Sequence, residues 1–132
     1  MEMTKTDMEA EKTEKTGILR RKSLRFAVRI VNLSKYLKEE KKEYTLSTQI
    51  LKSGTSIGAN LAESATAFSK KDFISKVYIS LKECSETLYW LELLYLTEYI
   101  SEEMYRSMQQ DCEELRKMLS ATTKTAQEAE IT

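Results

Sequence analysis

Three sets of residues in this chain have types and spacings that bear on chemistry. The first is SGTSIGANLAES, Ser53 to Ser64, which holds two of the chain's three glycines, four residues apart. A phosphate-cradling loop follows a strand and ends in Gly-Lys-Ser/Thr, so that backbone N–H groups converge on the anion. Here Ala59 and Asn60 follow Gly58, and the residues before Ser53 are patterned as helix, so the phosphate reading fails. The second set is Glu63, Glu83 and Glu86. Carboxylates inside helical bundles hold metal pairs, but those sites add a Glu-x-x-His pattern. This chain has no histidine, which also removes the usual general base. The third set, Cys84 and Cys112, matches no zinc spacing and reads as two reduced, buried thiols. No catalytic residue, metal or cofactor is expected, and the chain reads as a non-enzyme.

What remains is charge and packing. The chain is neutral overall, with 21 basic and 21 acidic residues in 132. The balance is not local: residues 18–43 carry nine basic and three acidic residues, a net +6. Within them Arg21, Arg25 and Arg29 recur every four residues with Lys22 alongside. Guanidinium groups on one ridge suit bidentate phosphate contact, so RNA or DNA binding without sequence preference is expected there. A solvated helix face is the competing reading.

The elements that carry these residues are helices. Proline is absent and glycine nearly so, which favours long helices. Apolar periodicity predicts four. The first spans about 18–43 on Leu19, Phe26, Ile30, Leu33 and Leu37, widened by Leu24, Ala27, Val28 and Val31. The second spans about 46–68 and buries Leu46, Ile50, Ile57, Leu61, Ala65 and Phe68. Ser69 reads as the N-cap of the third, with Asp72 in capping-box position, and that helix runs to about Tyr99. The fourth starts at Ser101 on Tyr105, Met108, Cys112, Leu115 and Leu119. Short connections force antiparallel neighbours, so the expected fold is all-α, an up-down-up-down four-helix bundle over residues 18–120. Residues 1–17 and 121–132 lack periodicity and read as flexible polar tails. Met1–Gly17 has no signal-peptide core and no apolar run spans a bilayer, so a cytoplasmic protein without a membrane partner is expected.

On a helical wheel Gly54, Gly58 and Ala62 form one line beside Ile57 and Leu61. Two interior glycines cost about 2 kcal/mol against alanine, which close helix approach offsets through dispersion. This line reads as a helix-packing seam. Opposite it Ser56, Asn60 and Glu63, with Gln49 and Ser53, form a polar stripe that is either solvated or a hydrogen-bonded network at a contact between copies, with Lys82 or Glu86 across the seam. The third helix carries more apolar surface than one core needs: Ile79, Trp90, Leu93 and Leu94 project beyond the core arc. These four are expected to form an interface between copies.

The stretches LKSGTSIGANLAES and SKKDFISKVYISLKECSETLYWLELL resemble the bacterial four-helix-bundle family of 23S ribosomal RNA intervening-sequence proteins. The resemblance covers about residues 18–118 and is most specific at Ser53–Asn60, Glu63, Ser69, Asp72-Phe73, Lys82-Glu83, Glu86, Trp90 and Leu91. It implies a ring-shaped homopentamer with no catalytic residues to transfer. Members are encoded within ribosomal-RNA insertions or as free-standing genes. A related branch, the accessory variability protein of diversity-generating retroelements, binds a reverse transcriptase and nucleic acid through a basic ring surface. This chain departs from that branch in its neutral charge. An oligomeric scaffold that contacts nucleic acid is therefore the leading expectation, and an adaptor docking a partner enzyme such as a reverse transcriptase is the alternative.

Overall fold

The computed structural model describes residues 4–131, with backbone alone at 8–13, 130 and 131. Four helices account for nearly all of it: α1 (Lys5–Glu39), α2 (Leu46–Ser64), α3 (Lys70–Leu96) and α4 (Glu102–Ile131). No strand occurs among the described residues, so the fold is all-α.

The helices are longer at the chain ends and shorter inside than the periodicity predicts. The segment before Ile18, expected as a tail, continues α1 back to Lys5. A capping box starts it: the Thr4 hydroxyl accepts from Asp7 N at 3.0 Å, and Thr4 N donates to the Asp7 carboxylate at 3.2 Å. The Thr4 side chain, and then the Thr4 N–H, hold the Asp7 carboxyl below its ordinary pKa. The C-terminal segment likewise continues α4 to Ile131, with Thr123 buried in it. Apolar periodicity is a poor guide to these turns, because a helix that projects past its neighbours needs good helix formers, not an apolar face. Inside the chain, α1 stops at Glu39 and Lys42 turns left-handed at φ 55°. The second helix ends at Ser64 in a run of i→i+3 bonds, Thr66 N to Glu63 O and Ala67 N to Ser64 O. Ser69 then caps α3 by accepting from Asp72 N at 3.0 Å, as its position in the sequence predicts.

Each helix packs on the next and α4 returns against α1, while among the described residues the diagonal pairs α1/α3 and α2/α4 make no Cα approach within 8 Å. The core inside this cycle contains the five α1 residues read from the sequence, with Ile50, Ile57 and Leu61 of α2. It is completed by Val77, Cys84, Leu91 and Leu94 of α3 and by Met108, Cys112, Leu115 and Leu119 of α4. Two expectations are corrected. Ala65 and Phe68 are exposed, since α2 has ended before them. Leu24 and Val28 lie on the far side of α1 from the core and also face solvent.

Small hydroxyl residues let the helices approach. Ser23, Ser34, Ser47, Ser53, Ser80 and Thr87 are all buried. Ser34 Oγ donates to Ser47 O at 3.2 Å between α1 and α2, and Ser80 Oγ donates to Ile57 O at 2.9 Å between α3 and α2. The Ser53 and Thr87 hydroxyls meet at 2.9 Å. Satisfying each hydroxyl removes the penalty of burying it and leaves the benefit of its small volume.

Candidate functional site

The glycine line sits where two of its three members are needed. Gly54 faces Ile30 so closely that a Cβ there would lie 2.6 Å from Ile30 Cγ1. Gly58 faces Ser23, where an added Cβ would lie 3.3 Å from Oγ. Ala62, placed on the same seam by its spacing, is exposed, because an i, i+4 line drifts about 40° per step and has turned off the buried face there. The seam therefore joins α1 to α2 through Gly54 and Gly58.

Within one copy Ser56, Asn60 and Glu63 make no bond to Lys82 or Glu86 among the described residues. Ser56 Oγ donates to Lys52 O and Asn60 Nδ2 to Ser56 O at 2.8 Å, both within α2. Glu63 pairs with Lys76 at 2.8 Å instead of Lys82, and the pair raises the Lys76 pKa. Glu86 accepts from Trp90 Nε1 at 3.2 Å on its own helix. Lys82 is exposed. Ser53 leaves the stripe altogether for its buried partner Thr87.

The four cations of α1 expected to contact phosphate divide into two pairs. Lys22 pairs with Glu114 of α4, and Arg29 pairs with Asp111 while donating to Ser107 Oγ at 2.8 Å. These two tie α1 to α4. Arg21 and Arg25 are exposed, and no carboxylate among the described residues pairs with either. The sequence offered a signal for this division. Asp111 and Glu114, three residues apart on α4, present carboxylates on one face to a helix running the other way. Arg20 adds a further feature on α1: its Nε is buried without an acceptor.

Of the residues expected at an interface, Leu94 is fully buried in the chain's own core and cannot meet a partner. Ile79, Trp90 and Leu93 are half-buried, with Trp90 edge-on to Tyr89 at 5.2 Å between ring centroids. The exposed apolar surface of α3 is instead Tyr78 (49 % exposed), Tyr89 (61 %) and Leu96 (66 %). On α1 it is Leu24 (68 %) and Val28 (55 %). Phe68, in the connection between α2 and α3, is 94 % exposed.

No three His, Cys, Asp or Glu residues converge among the described residues. The buried thiols bond reciprocally, Cys112 Sγ with Cys84 O at 3.6 Å and Cys84 Sγ with Cys112 O at 3.9 Å. The neighbouring Cys84 thiol, then burial, push Cys112 far above the ordinary thiol range. A thiol held protonated is a poor nucleophile. A groove of about 520 Å³ opens between the ends of α1, α3 and α4, lined by Phe73, Ile74, Thr122 and Ala126. No described helix is long and apolar enough to cross a membrane.

These features define an all-helical protein whose distinguishing surfaces are apolar and charged stripes on helix exteriors. The comparisons with known proteins agree with that class and narrow it. The family model for the 23S rRNA-intervening sequence protein matches residues 15–121, and the chain belongs to that family. A crystal structure of a protein of unknown function from the S23 ribosomal protein family of Bacteroides thetaiotaomicron is similar to it. The two share 55% identity over 83% of this chain and 98% of that one, with a TM-score of 0.82. Nothing among the curated proteins matches.

Proposed function

We propose that the chain is a non-enzymatic, cytoplasmic scaffold whose working form is a homo-oligomer of up-down-up-down four-helix bundles. One observation carries the reading. Leu24, Val28, Tyr78, Tyr89 and Leu96 remain largely exposed although the core is already filled. A lone soluble bundle ordinarily keeps helix exteriors polar, and apolar stripes there mark contacts with other proteins. The family resemblance supports a ring of five. Light scattering at micromolar concentration is expected to give a multiple of the 15.3 kDa chain mass. A well-folded species of 15.3 kDa would end the reading.

A second reading has its own support. Arg21 and Arg25 have no acidic partner among the described residues, and a ring would bring several copies of them together into one positive surface. Under this reading single-stranded RNA binds at low salt, and R21E/R25E abolishes binding without changing the oligomer's mass. Failure to bind at low salt removes it. Lys22 and Arg29, neutralised by Glu114 and Asp111, take no part in either reading.

A further inference from the structure

Helices α1 and α3 occupy diagonal corners of the cycle, so their outer faces point in opposite directions. Both faces carry an apolar stripe at helical spacing. On α1 it is Leu24 and Val28, bordered by Arg21, Arg25 and Lys35, all exposed. On α3 it is Tyr78, Tyr89 and Leu96, bordered by the exposed Glu86 and Glu92. The charge around them is opposite in sign. Residues 18–43 carry a net +6, while residues 83–105 contain six glutamates and no lysine or arginine. Lys82 is the one cation within the α3 stripe.

Along the two stripes themselves, neither charge set is paired among the described residues. Lys22 and Arg29, which turn toward α4, have their carboxylates, whereas Arg21 and Arg25 on the outer stripe have none among the described residues. No cation among the described residues pairs with Glu86 or Glu92. Burial, and then the neighbouring Glu86, raise the Glu83 carboxyl above its ordinary range against the pull of Lys52 and Lys82.

We infer that the α1 stripe of one copy docks on the α3 stripe of a second copy, Leu24 and Val28 against Tyr89 and Leu96, with Arg21 and Arg25 meeting Glu86 and Glu92. This rests on the assembly reading above and names the two faces it uses. Apolar contact at the centre with opposite charges at the border is the usual anatomy of a specific interface, the charges steering encounter and fixing register. Because the two faces differ and point apart, the contact is head-to-tail. Such contacts close into a ring when the rotation per copy permits and otherwise propagate. Neither stripe requires a change in the helices that display it.

Charge reversal tests the pairing by light scattering and sedimentation, with circular dichroism as the check on folding. R21E/R25E and E86K/E92K are each expected to weaken self-association roughly tenfold or more, since each opposes like charges. Combining all four changes in one chain restores association, and mixing the two variants restores it in part, because alternation of the two in a ring of five leaves one like-charged contact. High salt weakens the wild-type assembly. L24S, which alters no charge, weakens it too. An assembly insensitive to both reversals overturns the inference while leaving the assembly reading intact. So does loss in both variants with no recovery in the mixture or the combined chain. If R21E/R25E loses only RNA affinity at unchanged mass, the α1 face belongs to nucleic acid and the inference is again overturned. A monomeric wild type removes the assembly reading and the inference together.

Discussion

Gly54→Ala is expected to destabilise the fold by about 2 kcal/mol, although alanine is the better helix former. Alanine in a helix interior gains about 1 kcal/mol over glycine. At Gly54 the new Cβ would lie 2.6, 2.8 and 2.9 Å from three carbons of Ile30, a residue with no exposed surface. Ile30 has nowhere to turn, so α1 and α2 must separate or Ile30 must leave its rotamer. Overpacking of this kind costs about 1–3 kcal/mol, and three simultaneous contacts place it at the upper end or above. Gly58→Ala is the control on the same seam. Its Cβ would meet Ser23 Oγ at 3.3 Å, and that hydroxyl can rotate aside, so stability is expected to stay within about 1 kcal/mol of wild type. Urea unfolding at fixed protein concentration measures both, since assembly would otherwise shift the midpoint. Adding Ile30→Ala to Gly54→Ala should cost about 1–3 kcal/mol less than the two changes summed, because the new methyl partly fills the space. A Gly54→Ala protein as stable as wild type would show that the α1–α2 approach is looser than described.

The same seam shows what the sequence reveals and what it hides. Two glycines four residues apart on an apolar helix identify a close approach, and the apolar spacing of α1 and α4 marks the residues that fill the core. The rotation of α3 is harder to read. An apolar count centres its core arc on Phe73, Val77, Cys84, Leu88 and Leu91. The structure buries Ser80, Thr87 and Leu94 as well, which turns the arc by about 30° on a 3.6-residue wheel. Ser80 and Thr87 look like surface residues in a hydropathy pattern. They are interior because each finds a partner on α2 and because their small volume lets the helices close. That single rotation moves Leu94 into the core and leaves Tyr78, Tyr89 and Leu96, already off the predicted arc, facing outward. The division among the α1 cations is hidden for a related reason. Spacing places Arg21, Lys22, Arg25 and Arg29 along one flank, but the position of α4 decides which of them are neutralised.

Leu94→Ala and Leu96→Ser, two residues apart, are expected to fail in different ways. Leu94 has no exposed surface and packs in the core with Leu91 and Cys84. Truncating a fully buried leucine removes its transfer free energy and leaves a cavity, a loss of about 2–5 kcal/mol. For a domain of this size that is a large share of a total stability of about 5–15 kcal/mol. Leu96 is 66 % exposed at the last residue of α3, where serine costs the isolated fold at most about 0.5 kcal/mol. Its side chain lies on the stripe assigned to a second copy, so Leu96→Ser should leave the helical signal intact and weaken self-association. Denaturant unfolding and light scattering on the same samples separate the two effects. Should Leu94→Ala keep wild-type stability while losing mass, Leu94 would belong between copies. The hydroxyl pairs that rotate α3 would then be the wrong account of its core.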